Sequence, residues 1–490
     1  MHETLSKSRR YMILFNTVLA TFMATLDSSI VNISLPTIAG HFSVGIESVQ
    51  WVVTVYTLSI SALLLLFGRL SDRIGRRFLF AVGLGIFTLG SLLCGLSTSF
   101  PMLVASRVVQ AVGAAIAMTL VQAIVTAIFP PNERGKALGI IGAVVAAGSL
   151  TGPSLGAVLV AAAGWRSIFY VNLPFGLLGV VLTLVQMPET ASPDAQDRKP
   201  FDWRGASMLV PGVVLLIFGL LTLQNAGIPG WASGGATAAG AVLFVLFLLS
   251  ERTHPDPLID LGFFRSRDFT LSLSSAFLSY LSMFGYVFFI PFYLQEVQRM
   301  PILQAGLVMS VYPITTVFMS PLSGWLSDRF PRFPYTFVGL GLLGVGFGFL
   351  AFLAADSSIP RIVLPIFVAG VGGSLFQSPN NSRIMGSAPR NRLGVVGGVV
   401  AFFRNFGMVS GTTFAVMLFV AVAHLAVDSL SGGASFDVVR FMAGFRAVLL
   451  ASATAAAVGA VLGLFLEKHP APLREKGPDG LAGGAGPLEA

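Results

Sequence analysis

Asp27 is a carboxylate in an otherwise uncharged stretch, Leu26-Asp27-Ser28-Ser29-Ile30-Val31-Asn32-Ile33-Ser34-Leu35-Pro36. A charge at the centre of a membrane helix costs about 2.5–3.5 kcal/mol, so such a residue is a functional candidate by default. Low dielectric favours the neutral form of an acid, which suits a carboxyl that gains and loses a proton. A helix–helix hydrogen bond or a fixed ion pair is the other reading. Arg107 is a cation in the same kind of setting, three residues before Gln110. That spacing puts both on one helix face, which Met118 and Gln122 continue. An arginine there must pair or face water, so a structural pair and a functional role both stay open. Arg404, followed by Asn405, is a second embedded cation with the same two readings. Gln377-Ser378-Pro379-Asn380-Asn381-Ser382 sets amides around a proline; it reads as the inner mouth of a cavity or as a helix end. Phe277, Tyr280, Phe284, Tyr286 and Tyr312 offer rings for a stacking wall, or face lipid.

Other chemistries are poorly served. The five histidines fall in loops or near the ends of apolar runs, and no metal-ligand spacing occurs. No catalytic set converges, so the chain is not read as an enzyme and no cofactor is expected. A phosphate-cradling Gly-x-x-x-x-Gly-Lys loop is missing from the sequence, which argues against direct ATP drive. The net charge of +8 is spread over many short loops, so nucleic acid is not an expected partner. The single cysteine, Cys94, excludes an intramolecular disulfide.

The elements that must position these residues are membrane helices. Hydrophobic residues make up 54% of the chain and charged ones 11%, against roughly a quarter charged in a soluble domain. A span needs about 20 mostly apolar residues. Fourteen such runs are expected, near 12–36, 48–67, 78–97, 101–124, 136–160, 165–187, 204–224, 233–250, 268–293, 304–323, 335–355, 361–381, 394–424 and 440–465. Basic residues alternate along the loops. One set of loops carries Lys7, Arg9, Arg10, Arg73, Arg76, Arg77, Arg134, Lys136, Arg198, Lys199, Arg265 and Arg267; the other set carries little beyond Arg166, Arg299, Arg361 and Arg440. Cytoplasmic loops collect Lys and Arg, so both termini are expected in the cytoplasm, the chain in the inner (plasma) membrane, and Met1–Arg10 to lead into a retained first span.

A repeat sets the plan. Gly68-Arg69-Leu70-Ser71-Asp72-Arg73-Ile74-Gly75-Arg76-Arg77 reads as a tight basic loop after the second run. Gly324-Trp325-Leu326-Ser327-Asp328-Arg329-Phe330-Pro331-Arg332 repeats it after the tenth. Two related halves are a common transporter plan. Residues 1–187 are therefore expected to form one six-helix bundle and 268–466 another. Between them, 188–267 holds a polar linker, two inserted spans at the periphery, and a segment whose Leu258, Leu261, Phe263 and Phe264 are expected to lie along the membrane surface. Residues 467–490 read as a disordered tail. In the fifth run, Gly148, Gly152 and Gly156 make a smooth face for close packing, and Pro153 frees a backbone carbonyl and kinks the helix, which suits an interface that opens and closes.

These motifs resemble the major facilitator superfamily, and within it the fourteen-helix drug:proton antiporter-2 family (the EmrB/QacA-like group). Residues 68–77 are similar to the family's Gly-x-Leu-Ala-Asp-Arg-x-Gly-Arg-Lys signature, with Ser71 and Arg77 substituted. Residues 26–36 are similar to Leu-Asp-x-Thr-Ile-Val-Asn-x-Ala-Leu-Pro. Arg107 and Gln110 match Arg-x-x-Gln-Gly, with Ala111 for the glycine. Gly148 to Gly156 match the antiporter motif, with Ala157 at its last position. The resemblance implies an all-α major facilitator fold: two six-helix bundles plus two inserted helices around a cavity that opens alternately to each side. It implies a proton-coupled exporter of small amphipathic compounds, drugs among them, working as a monomer in the lipid bilayer on the proton gradient. It implies proton coupling or cargo recognition for Asp27 and Arg107. It also implies an inner gate at Gly68, Asp72, Arg73, Gly75, Arg76, Asp328 and Arg329. Asn32, Gln110, Met118, Gln122, Tyr280, Phe284, Tyr312, Gln377, Asn380, Asn381 and Arg404 are the cavity candidates. Relatives with further acids in the second half differ from this chain, which has none deep there. A dedicated exporter of one metabolite, lipid or antibiotic is the alternative, and a non-transporting sensor a more distant one. Whether a periplasmic adaptor joins it is left open.

Overall fold

A computed structural model describes residues 6–129, 131–188, 202–222, 229–254, 258–259, 261–330, 332–386, 393–423 and 437–467. Among these residues the chain is helical, with no strand. The first half holds α1 (Lys7–Phe42), α2 (Ile46–Ile74), α3 (Arg76–Gly95), α4 (Phe100–Ile128), α5 (Pro131–Ala163), the single turn α6 (Ser167–Tyr170) and α7 (Asn172–Gln186). Helices α8 (Trp203–Thr222) and α9 (Gly230–Glu251) follow. The second half holds α10 (Arg267–Phe292), α11 (Ile302–Met309), α12 (Val311–Arg329), α13 (Tyr335–Ala351), α14 (Ile359–Gly386), α15 (Leu393–Ala423) and α16 (Val438–Glu467). Among the described residues twelve helical segments are long and apolar enough to cross a membrane. Ala147–Ala163 within α5, and α13, are shorter apolar helices. By length and composition, then, the count falls short of the fourteen expected. The first turns of α5 carry Glu133 and Lys136, and α13 stops after 17 residues.

The halves repeat each other in packing as well as in sequence. Helix α3 lies on α4 where Gly83, Gly90 and Gly113 leave no room for a side chain, and α13 lies on α14 through Gly339, Gly346 and Gly372. The same seven-residue glycine step recurs in Gly212 and Gly219, which bring α8 onto α9. Small residues let backbones approach where lipid supplies no hydrophobic drive between helices. Helix α8 also packs against α2 and α15. A large apolar cluster joins the halves at one end of the molecule, from Ile30, Val31, Ile33 and Val49 to Phe289, Tyr293, Ala305 and Phe419. There Gln295, in the π-helical turn Tyr293–Val297 that follows α10, donates to the Ile33 carbonyl at 3.0 Å.

Two expectations are corrected. The motif at 68–77 is no loop: α2 runs on to Ile74, and only Gly75, at φ 100°, breaks the chain before α3. Polar residues alone do not end a helix; the left-handed backbone that glycine supplies does. Likewise 324–329 is the end of α12. The amides at 377–382 lie inside α14, which continues to Gly386 with Pro379 inside it, so they mark no helix end. Leu258, Leu261, Phe263 and Phe264 also have protein partners. They pack into a cluster with Leu209, Phe247, Phe269 and Val396. A backbone bond fixes them there: Ile259 N–H donates to the Glu251 carboxylate at 2.8 Å. The calls on the polar linker at 189–201 and the tail from 468 lie outside the described residues.

Candidate functional site

Asp27 and Arg107, eighty residues apart, meet inside the first half. Asp27 has no exposed surface and Arg107 is 1% exposed. Arg107 Nη1 donates to Asp27 Oδ2 at 2.6 Å and to Gln110 Oε1 at 2.6 Å. Gln110 Nε2 donates to Asp27 Oδ1 at 2.8 Å, and Asn172 Nδ2 donates to the same oxygen at 3.1 Å. Three donors therefore converge on one carboxylate. The i, i+3 face of α4 supplies two of them, as its spacing predicts. The break at Val171 between α6 and α7 lets Asn172 reach in as the third.

The cation is held as firmly as the anion. Arg107 Nε donates to the Val52 carbonyl at 3.0 Å, and the guanidinium carbon lies 3.9 Å from the centre of the Tyr56 ring. Both belong to α2. Gln110 also donates to Ser91 Oγ at 2.8 Å, and Ser91 donates to the Phe87 carbonyl. Charge-assisted bonds of this kind are about twice as strong as neutral ones, and a buried charge tolerates burial only when fully bonded. Asp27, Arg107, Gln110, Asn172, Ser91 and Tyr56 form a single unit spanning α1, α2, α3, α4 and α7. Sequence reasoning found the first three and missed the others. The signal for Asn172 was an amide within an apolar, uncharged run, Val171-Asn172-Leu173-Pro174.

The other candidates are dispersed. Asn32 is buried and donates back to the Ser28 carbonyl on its own helix. Met118 is half-buried on α4; the side chain of Gln122 lies outside the described residues. In the second half, Gln377 donates to the Tyr280 hydroxyl, and Arg404 acts electrostatically on that same phenol. Phe284, Tyr312 and Arg404 are half-buried, whereas Asn381 is exposed. Tyr286 is buried, with its ring 5.4 Å from Phe347 and 6.3 Å from Tyr312. It packs within the half rather than forming an open wall. Asn380 is buried and donates to the Ser272 carbonyl at 3.1 Å.

The glycines of α5 face α1. A side chain at Gly148 would press on Thr25, one at Gly152 would overlap Ser29 Oγ, and one at Gly156 would meet Ile30 and Ile33. Ser29 donates to the Gly148 carbonyl at 3.1 Å. The adjacent face, through the Pro153 carbonyl and Ala157, meets Gly306 of α11. The motif thus serves contact within the first half and contact between halves on two sides of one helix.

Of the expected gate, Gly75 caps α3, Arg76 donates to the Ala123 carbonyl at 3.2 Å and Arg77 to the Leu184 carbonyl at 2.6 Å. Those carbonyls lie near the ends of α4 and α7, where helix carbonyls attract cations. Arg329 is exposed. The side chains of Asp72, Arg73 and Asp328, and the surroundings of Gly68, lie outside the described residues. Among the described residues no group of His, Cys, Asp and Glu is arranged to hold a metal ion.

Comparison with known proteins agrees with this architecture. The family model described as Major Facilitator Superfamily matches residues 17–412. A riboflavin transporter, RibZ of Clostridioides difficile, is 35% identical over 83% of the chain and 87% of its own length. The multidrug resistance protein Stp of Mycobacterium tuberculosis is 33% identical over 84% of the chain and 76% of its own length. Among solved structures, an inward-facing bacterial homologue of the human lysosomal transporter Spinster aligns with a TM-score of 0.65 at 19% identity, covering 95% of the chain and 98% of that protein.

Proposed function

The chain belongs to the major facilitator superfamily, and from that premise we propose that it is a proton-coupled exporter of small amphipathic compounds that works by alternating access. The observation that carries this reading is the buried Asp27–Arg107 pair at 2.6 Å. An acid with no exposed surface, bonded to a cation, takes up a proton only when that bond opens. Protonation removes the charge that holds Arg107, leaving the guanidinium on the Val52 carbonyl and the Tyr56 ring of α2. Helix α2 packs along α15 of the other half, so a change at the pair reaches the interface between bundles. Protonation from outside favours release of cargo, and deprotonation inside resets the pair. A membrane potential of 100 mV adds about 2.3 kcal/mol per charge moved.

The setting extends the same reading. Helix α13, at about 1.5 Å per residue, and the apolar part of α5 occupy the places of spans eleven and five. We place both across the bilayer, which gives fourteen spans, the drug:proton antiporter-2 arrangement and cytoplasmic termini in the inner membrane. The basic residues at the end that carries Gly75 support that orientation. One relative is named for multidrug resistance, which supports a broad cargo range. Another is named for riboflavin, which supports a dedicated carrier as the second reading.

The test is transport in proteoliposomes under an imposed pH gradient, comparing wild type with Asp27→Asn across a panel of aromatic dyes of either charge. Gradient-driven movement that falls at least about 100-fold in the variant is expected. Equal movement by both proteins would remove Asp27 from the mechanism.

A further inference from the structure

The interior charges of the two halves do not balance. By sequence, every acid in the helices except Asp27 lies within a first or last turn or in the short turn after α10. Asp27 is consumed by Arg107. Arg446 turns to the end of α13, where its Nε donates to the Ala351 carbonyl at 3.2 Å. Arg404 has no such outlet. Twelfth in α15, it makes no hydrogen bond or ion pair among the described residues, and it is half-buried rather than sealed. A cation left open inside a membrane bundle faces a water-filled space or a ligand.

The direction of Arg404 follows from its neighbours on the helix. Ala401, three residues before it, packs against the first-half cluster that holds Tyr56, Ile60, Leu64 and Ala115. Gly407, three residues after it, lies against the Phe277 carbonyl and the Tyr280 Cβ of α10. Positions three apart on a helix flank the residue between them, so Arg404 projects between the first half, chiefly α2, and α10 of the second. Tyr280 is within its electrostatic reach, and Tyr280 in turn accepts from Gln377. Phe277 stacks on Phe406 at 5.8 Å beside it. Among the described residues, the place between the halves thus offers a planar cation without an ion-pair partner, a phenol, an amide and aromatic faces, and no available carboxylate.

We propose that the cargo is an amphipathic anion, an aromatic or lipophilic body bearing a carboxylate, sulfonate or phosphate, whose acidic group is held by Arg404. This rests on the exporter reading and narrows its substrate class. Arginine suits the task because its fork of donors matches such groups and its charge does not titrate away. Lipophilic cations are disfavoured at the same place because Arg404 repels them and Asp27 is not exposed to draw them in.

The experiment uses the full-length protein in phosphatidylcholine vesicles, so that no anionic lipid headgroup is present to hold Arg404. Fluorescein, an anion, and ethidium, a cation, are followed under the same pH gradient. Wild type is expected to move fluorescein faster than ethidium. Arg404→Gln is expected to lower fluorescein transport about tenfold or more, and Arg404→Lys to keep part of it. Faster movement of ethidium, or fluorescein transport unchanged in Arg404→Gln, would overturn the anionic assignment while leaving the exporter reading intact. If folded wild type moves neither dye, the exporter reading fails, and protection against heat unfolding decides the rest. Protection by fluorescein and not by ethidium, lost in Arg404→Gln, would support the charge assignment on its own; no protection would overturn it.

Discussion

The centre of the first half and the centre of the second are built on opposite terms. In the first, a cation and an anion are sealed together and every polar atom of Asp27 meets a donor. In the second, a cation stands half-open beside a phenol and an amide, with no anion to meet it among the described residues. A sealed pair has one arrangement and resists change while both charges stay bonded. An open cation is unspecific in shape and waits for a partner from outside. On the reading proposed above, coupling falls to the first bundle and recognition to the second, and α2 packs against α15 between them.

The contrast can be broken most directly at Arg107. Arg107→Met leaves Asp27 as an uncompensated buried charge and is expected to cost about 3–5 kcal/mol of stability, read as a fall in the unfolding temperature of purified protein in micelles. Adding Asp27→Asn to that variant should return much of the loss, because both charges are then gone. If Arg107→Met is no less stable than Arg404→Gln, the two centres are not different in kind. A mid-sized effect is expected at Gly152. Gly152→Val forces α5 away from Ser29 on α1 and should cost about 1–3 kcal/mol as an overpacked site, with Ser29→Ala recovering part of it in the same melting assay. The smallest effect belongs to the second half. Tyr280→Phe removes the hydroxyl that Gln377 serves and should change stability by no more than about 1 kcal/mol, while shifting the KM for an anionic dye severalfold. A large loss of stability there would make the second centre as rigid as the first.

Much of this was legible from the residues. Asp27, Arg107 and Arg404 stand out because charge in apolar runs is expensive, and the glycine steps mark where helices touch. That Asp27 and Arg107 find each other was not legible. They lie on helices eighty residues apart, and nothing in the local pattern says which faces meet. Asn172 was missed because an uncharged amide near a helix start resembles an ordinary cap. The Gly68–Ile74 stretch misled in the other direction: its polar residues suggested a loop, yet nothing before Gly75 obliges the helix to stop. The apolar side chains at 258–264 fit a lipid surface and a protein groove equally well by pattern, so their packing with Leu209 and Phe247 was not legible either.

The separation of Asp27 from Arg107 also sets a timetable for assembly. At about 5–20 residues per second, α4 follows Asp27 out of the ribosome after about 4–16 s. During that interval α1 sits in or beside the translocon with an acid that has no counter-ion, offset only by the long apolar run around it. Asn172, which completes the shell around Asp27, emerges later still. A nascent chain that ends before α4 therefore carries an acid in a membrane helix without the Arg107, Gln110 and Asn172 donors that hold it in the finished bundle.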